Sequence, residues 1–165
     1  MSNVPKKQRW MVYSGVTVLV VVLDQLTKIA AVAGLAGEAP RRWLGGALSL
    51  ESVETRGAFL SLGASLPDWL RTGIFVVAVL AVLVLISVYI LKGKEVARGE
   101  LWAAALFTSG GAGNLIDRIL LGYVRDFAHM GIGPVRTGVF NLADMAITAG
   151  AVVLLIHLFR SRSRG

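Results

Sequence analysis

Hydrophobic residues in this chain are grouped in four long blocks, without the regular polar spacing of an amphipathic helix. The blocks run over about residues 10–34, 69–91, 101–121 and 139–159. A hydrocarbon core about 30 Å thick requires roughly 20 apolar residues in a helix that crosses it, and each block has about that length. The pattern predicts an all-α integral membrane protein with four transmembrane helices, in a single domain formed by residues 1–165.

The stretch between the first two blocks, residues 35–68, has a different pattern. It contains Gly and Pro, and it alternates apolar and polar residues between Ala47 and Val53. Short alternating runs bounded by Gly and Pro are typical of strands. We therefore predict a small β-rich element between helices 1 and 2, on the extracytoplasmic surface of the membrane.

The first block follows a basic start that contains Lys6, Lys7 and Arg9, and a secretory signal peptide also has a basic segment before its apolar stretch. Its apolar stretch is too long for a signal peptide, it includes Asp24 and Lys28, and further blocks follow it. The pattern favours a retained first helix.

Basic residues predict the orientation in the membrane. The start, the loop over residues 92–100 and the tail each carry three Lys or Arg residues. With four spans these regions share one side, which the positive-inside rule makes cytoplasmic. Both termini are therefore expected inside. The net charge of +7 comes from Lys and Arg residues that cluster at the ends of the apolar blocks, where they orient helices in a membrane. We therefore expect no nucleic-acid partner.

Composition narrows the chemistry further, with 55% hydrophobic and 16% charged residues. The absence of cysteine excludes disulfides, thiolate metal sites and a cysteine nucleophile. The two histidines, His129 and His157, are far apart in the sequence and give a zinc site or a Ser-His-Asp triad little to build on. No metal and no cofactor are expected.

Ionisable residues inside the blocks are the candidates for function, because each costs at least about 2.5–3.5 kcal/mol on membrane insertion scales. They are Asp24, Lys28, Asp117, Arg118 and Asp144, with Asp126 in the outer loop predicted just after the third block. At about 1.5 Å per residue, Asp117 lies about 24 Å along its helix and Asp144 roughly 7–8 Å below the outer surface. Four carboxylates are thus predicted to gather on the outer side.

Neighbouring carboxylates that are partly shielded from water can share one proton, because two like charges cannot both stay ionised. The ionised member can accept a proton from water while the protonated member polarises a carbonyl. Such a pair can hydrolyse a peptide without a cofactor, and its activity should have a bell-shaped dependence on pH.

Each of these residues also has a structural interpretation. In each of three pairs, the acidic and the basic residue could simply neutralise each other: Asp24–Lys28, Asp117–Arg118 and Asp126–Arg125. Asn114 and Asn141, each three residues before an aspartate, could form hydrogen bonds between helices. Asp144 is the residue that is hardest to explain structurally, because its block carries no other charge.

Five short sequences, taken in order, resemble the signatures of one family. They are Asp24-Gln-Leu-Thr-Lys28, Thr55-Arg-Gly-Ala-Phe59, Gly110-Gly-Ala-Gly-Asn-Leu-Ile-Asp-Arg118, Val124-Arg-Asp-Phe127 and Phe140-Asn-Leu-Ala-Asp144. Their combination, over nearly the whole chain, is similar to the lipoprotein signal peptidases, or signal peptidase II.

The resemblance implies an aspartic endopeptidase whose catalytic pair is Asp126 and Asp144. The predicted depth of these residues in the membrane, taken alone, would equally allow Asp117 and Asp144 as the pair. The resemblance further implies supporting or substrate-binding roles for Asp24, Lys28, Thr55, Gly57, Asn114, Asp117, Arg118 and Asn141.

The reaction that the resemblance implies is removal of the signal peptide from diacylglyceryl-modified prolipoproteins, before the lipidated cysteine, at the outer boundary of a bacterial plasma membrane. Prolipoproteins and membrane lipids would be the partners of a monomeric enzyme. Two alternatives stay open: a relative that binds lipidated peptides without cutting them, and a small transporter that uses the same aspartates.

Three positions depart from the family's usual pattern and suggest a divergent member with altered substrate preference. Thr55 stands where the family usually has Asn, and Met145 where it often has Ser or Thr. Arg125 replaces a Val, and its charge is expected to lower the pKa of Asp126.

Overall fold

The computed structural model describes residues 3–55, 67–132 and 135–162. Its helices are α1 (Lys6–Leu35), α2 (Asp68–Lys92), α3 (Arg98–Leu121) and α4 (Leu142–Arg162). Its strands are β1 (Arg41–Trp43), β2 (Leu48–Thr55), β3 (Val124–Ile132) and β4 (Val135–Arg136), and a short 3₁₀ turn covers Leu44–Gly46. Each predicted apolar block coincides with one of the helices.

Three helical segments are long and apolar enough to cross a membrane: Lys6–Leu35, Thr72–Lys92 and Leu142–Ser161. Among the described helices, α3 does not meet that criterion, although the sequence predicted a fourth span there. It carries Glu100 in its first turn and Arg118 in its last, and its buried positions include polar residues and Gly. It packs against α1, α2 and α4, so the three apolar helices surround it.

The apolar interior lies at the end of the helices where α1 begins. Tyr13 of α1 is buried there with Ile90, Val96 and Leu101. Its hydroxyl is 2.7 Å from Ser87 Oγ on α2 and donates a 2.7 Å hydrogen bond to Thr108 Oγ1 on α3. Three helices are therefore joined by one buried hydroxyl.

The same end is held together by Arg9, which is only 3% exposed. Its guanidinium donates to the carbonyl oxygens of Val4 at 2.6 Å, Gly93 at 2.7 Å and Lys94 at 3.2 Å. The start of α1 and the α2–α3 loop therefore lie side by side.

The strands form one antiparallel sheet in the order β1-β2-β3-β4. β2 pairs with β3 in a register that places Thr55 opposite Val124 and Leu48 opposite Met130, with an irregularity between Leu50 and Val53. The sheet therefore links the segment after α1 to the segment after α3.

The prediction of a β element confined to the stretch between helices 1 and 2 was incomplete. Half of the sheet, β3 and β4, lies between α3 and α4, where the sequence indicated a loop. In β3 the buried positions Val124, Asp126 and Ala128 alternate with more exposed ones. A charged residue at a buried position breaks the apolar alternation by which a strand is recognised.

Candidate active site

Asp126 lies in the first half of β3 and is 6% exposed. One carboxylate oxygen accepts a 2.5 Å hydrogen bond from Thr55 Oγ1, at the end of the neighbouring strand. The other accepts a 2.6 Å hydrogen bond from Asn141 Nδ2, just before α4. Both donors are neutral, so they orient the carboxylate without adding a formal positive charge.

Asp144 lies in the first turn of α4, in a capping box with Asn141. Asn141 Oδ1 accepts from the Asp144 backbone N–H at 2.9 Å, and Asp144 Oδ2 accepts from the Asn141 N–H at 3.1 Å. The remaining carboxylate oxygen accepts from Asn114 Nδ2 at 2.8 Å. The Asn-Leu-Ala-Asp spacing therefore has two effects: it starts helix α4, and it fixes the orientation of the Asp144 carboxylate.

Two amides connect the carboxylates. Asn141 Nδ2, which donates to Asp126, also lies 3.0 Å from Asn114 Oδ1, and Asn114 in turn donates to Asp144. The sequence left open whether these asparagines join helices or belong to a site. The Asn114–Asn141 bond does both, since it joins α3 to the N-terminus of α4 and links Asp126 to Asp144.

Three fully buried charges lie against this bridge: Asp24, Lys28 and Asp117. Lys28 Nζ is 2.8 Å from Asp24 Oδ2 and 3.4 Å from Asp117 Oδ2, and it donates a 3.0 Å bond to Asn114 Oδ1. The expected Asp24–Lys28 pair is therefore present, but Lys28 is shared. Asp24 also accepts a 2.9 Å bond from the Ala143 N–H and so helps to cap α4.

Arg125 has a role that the sequence analysis did not anticipate. Its Nη2 lies 2.6 Å from Asp117 Oδ1 and its Nε lies 3.2 Å from Asp117 Oδ2, which is a two-pronged ion pair. It also donates a 2.8 Å bond to Gln25 Oε1. The structural alternative of an Asp126–Arg125 charge pair is wrong, because consecutive side chains of a strand point to opposite faces.

Gln25 was also missed as a candidate. Its amide nitrogen donates to Asp117 Oδ1 and to the Gly113 carbonyl, both at 3.1 Å, and to Asp24 Oδ2 at 3.2 Å. An amide within an apolar block, beside a charged residue, was the signal that could have identified it.

Burial raises the pKa of Asp126, and the negative charge of Asp144 raises it further, while the hydrogen bonds from Thr55 and Asn141 oppose the rise. The expectation that Arg125 would lower this pKa was wrong. Its guanidinium is directed at Asp117, where the ion pair raises the pKa of Arg125 itself.

The other expected site residues lie as follows. Arg118 donates to the Asn114 carbonyl at 3.3 Å, lies 4.7 Å from the centre of the Phe75 ring, and interacts electrostatically with Asp144 and Asp126. The alternative of a structural Asp117–Arg118 pair is replaced by the Asp117 contacts to Lys28 and Arg125. Gly57 lies outside the described residues, and Met145 is 53% exposed.

The carboxylates of the site thus fall into two kinds. Asp24 and Asp117 are paired with cations. The hydrogen bonds that described residues make to Asp126 and Asp144 come from amides, a hydroxyl and a backbone N–H. The second kind suits acid–base chemistry, because such a pair can hold a single proton between its members.

Solved structures with the same fold include two of a bacterial membrane enzyme. One, determined by the in meso method at 2.3 Å resolution, matches with a TM-score of 0.76 and 26% identity, over 92% of this chain and 90% of that chain. The other, at 1.9 Å resolution, matches with a TM-score of 0.77 and 26% identity, over 88% of this chain and 91% of that chain.

Sequence relatives cover nearly the full length. A lipoprotein signal peptidase of Paraburkholderia phymatum is 38% identical over 151 residues, which is 92% of this chain and 89% of the relative. One of Solibacter usitatus is 33% identical over 155 residues, 93% of each. The sequence model of the family described as signal peptidase (SPase) II matches residues 16–160. The resemblance is thereby confirmed: this chain is a peptidase and belongs to the signal peptidase II family.

Proposed function

We propose that this peptidase removes the signal peptide from diacylglyceryl-modified prolipoproteins, cutting before the lipidated cysteine, with Asp126 and Asp144 as its catalytic pair. The observation that carries the assignment is the amide bridge of Asn141 and Asn114, which joins these two carboxylates. Asp117, the other choice that depth allowed, is held by Lys28 and Arg125 and is therefore a supporting residue.

The pair works with one proton. Its ionised member accepts a proton from water as the water oxygen attacks the scissile carbonyl carbon, and its protonated member gives a proton to the carbonyl oxygen. The C–N bond of the tetrahedral intermediate then breaks, and the leaving nitrogen takes the proton that the first carboxylate received from water. A hydroxyl of the intermediate gives its proton to the other carboxylate as the carbonyl re-forms, so the pair again holds one proton. The raised pKa of Asp126 supports a singly protonated pair, because it favours retention of that proton.

Thr55 has a defined place in this mechanism. Its hydroxyl donates to Asp126, so it orients a catalytic carboxylate, and a hydroxyl has only one hydrogen to donate. Arg118, within electrostatic reach of both carboxylates, is placed to stabilise negative charge that develops on the substrate carbonyl. Substrate contacts of Gly57 are proposed from its position in the family signature.

We place the protein in a bacterial plasma membrane with α1 to α4 all spanning, both termini in the cytoplasm and the carboxylate pair on the extracytoplasmic side. Along α1, Asp24 follows Arg9 by 15 residues, or about 22 Å at helical rise. The Arg9 contacts and the site are thus at opposite ends of the helices. A monomer offers a lipid-anchored cysteine direct access to an interfacial site.

The test is a cleavage assay on a diacylglyceryl-modified prolipoprotein in liposomes. It compares the wild type with Asp126→Asn, Asp144→Asn and the control Glu38→Gln, an exposed acid outside the network. We expect cleavage by the wild type and the control, and a loss of at least about 100-fold in both aspartate variants, since each removes a proton-transfer group.

Two results would contradict the proposal. Wild type that folds and binds several lipidated substrates without cutting any would identify a non-cleaving relative. Retained cleavage by Asp126→Asn, with loss in Asp117→Asn, would leave the reaction standing and replace the pair.

A further inference from the structure

Arg125 is next to Asp126 in β3, yet its side chain lies on the other face of the strand. There it joins three elements. Its backbone N–H donates to Asp117 Oδ2 on α3 at 3.0 Å, its Nη2 reaches Gln25 Oε1 on α1 at 2.8 Å, and its carbonyl accepts from Asn141 Nδ2 at 3.4 Å. Arg125 therefore ties β3, beside Asp126, to α3, to α1 and to the residue before α4.

The Arg125 charge balances a buried cluster. Asp24, Lys28 and Asp117 have fully buried side chains, and they carry two negative charges and one positive charge. The guanidinium, with 17% of its side chain exposed, adds the second positive charge and makes the cluster neutral. Without the guanidinium, one buried carboxylate would have no cation to offset its charge, and an uncompensated buried charge strongly destabilises a folded protein.

Lys28 connects the buried charge cluster to the catalytic pair, because it contacts both Asp117 and Asn114. Its ammonium group is closer to Asp24, at 2.8 Å, than to Asp117, at 3.4 Å, and it also donates to Asn114 Oδ1. Asn114 in turn holds Asp144. If Arg125 no longer neutralised Asp117, Lys28 would be drawn toward Asp117, and Asn114 would lose one of the contacts that fix its amide.

We propose that Arg125 is a positioning residue for the reaction: by neutralising Asp117 and fixing β3, it keeps Lys28 on Asn114 and both catalytic carboxylates in place. The inference rests on the proposed function of Asp126 and Asp144. It assigns a role to a position that the sequence marked only as a departure from the family pattern.

The experiment measures kcat and KM for lipidated prolipoprotein cleavage by three variants. Arg125→Met removes the charge and the two-pronged contact at similar length. Arg125→Lys keeps the charge and loses the fork. Arg42→Met is the matched control, because Arg42 is an exposed arginine in β1, outside the cluster.

We expect Arg125→Met to lower kcat by about 10–100-fold, the usual effect of losing a partner that orients site residues, with KM changed less than about twofold. Arg125→Lys should recover part of kcat, and Arg42→Met should match the wild type. Adding Asp117→Asn to Arg125→Met removes the excess charge, so the double variant should lose less than the product of the two single losses.

Thermal unfolding of each variant separates positioning from folding. Equal kcat in wild type and Arg125→Met, or a loss of activity that only follows the folded fraction, would overturn the proposal. If Arg125→Met does not fold, Arg125→Gln removes the charge with a polar side chain, and an unchanged kcat in that variant would overturn the proposal. Failure of the proposed function is distinguishable, since the wild type itself would then not cleave or Asp126→Asn would cleave normally.

Discussion

Thr55 and Asn141 act on Asp126 against the effect of its burial. The low-dielectric surroundings and the Asp144 charge favour the protonated carboxyl, whereas hydrogen bonds from these two side chains favour the charged form. The resulting pKa is raised, so Asp126 keeps a proton at a pH at which an ordinary aspartate has lost it. The basic limb of the activity profile, where the pair loses its shared proton, should therefore lie above the usual aspartate range.

Replacement of Thr55 by Val should move this basic limb further upward. The substitution removes a donor to the charged form of Asp126, which raises its pKa further. Single-turnover cleavage measured across pH tests the shift. Thr55→Ser, which keeps the hydroxyl, is the control and should follow the wild type. Superimposable profiles for Thr55→Val and the wild type would contradict this account of the Asp126 environment.

At the scale of single residues, the sequence predicted which charges belong together but not how they are paired. Asp24, Lys28, Asp117 and Asp144 were evident as charges within apolar blocks. The role of Arg125 was not, because it depends on β3 being a strand that turns adjacent side chains to opposite faces. With Asp126 expected in a loop, a contact between neighbours was the natural assumption.

Among the elements, the pairing of α3 with α4 matters most for the site. A methyl group at Gly110 would collide with the backbone carbonyl oxygen of Ala143, and one at Gly150 would lie 3.0 Å from the carbonyl oxygen of Ala103. Small residues at such positions let two helices approach closely. This close approach brings Asn114 of α3 within hydrogen-bonding distance of Asp144 of α4.

Gly110→Ala should therefore destabilise the protein by about 1–3 kcal/mol, as overpacking of a tight contact does, and should also lower cleavage. The added methyl meets backbone, which cannot rotate away. The matched control is Gly15→Ala in α1, where a methyl group has nothing within 4 Å. There the change should be neutral or stabilising, because Ala favours helix. Equal unfolding temperatures of the two variants in detergent would argue against a tight α3–α4 contact.

Helices were predictable from block length alone, because a run of apolar residues long enough to cross a membrane has few alternative structures. β3 and β4 were not. The pairing of β3 with β2 joins residues far apart in the chain, and the buried side of β3 includes Asp126 in place of an apolar residue. β4 is only two residues long. Functional residues at buried strand positions remove the pattern from which strands are read.

For the molecule as a whole, the contacts of Arg9 and the position of the carboxylates define two opposite ends. In the proposed orientation, the α2–α3 loop faces the cytoplasm and the sheet faces the other side. The chain has no cysteine, so a single introduced thiol reports on one position only.

We expect a membrane-impermeant thiol reagent added to intact spheroplasts to label Arg42→Cys, in β1, and not Lys94→Cys, in the α2–α3 loop. Both positions are exposed. After the membrane is permeabilised, both variants should react, which controls for access to the thiol. Labelling of Lys94→Cys in intact spheroplasts would reverse the proposed orientation and would place the carboxylates on the cytoplasmic side.

The capping box at the start of α4 also relates catalysis to the order of synthesis. Asp144 and Asn141 follow α1, α2 and α3 in the chain, so they leave the ribosome after the residues to which they bind. Asp126 is already made by then, but its amide partner and its companion carboxylate are not. With the proposed pair, a nascent chain therefore gains the ability to hydrolyse peptides only when the first turn of α4 has formed against α3, late in membrane insertion.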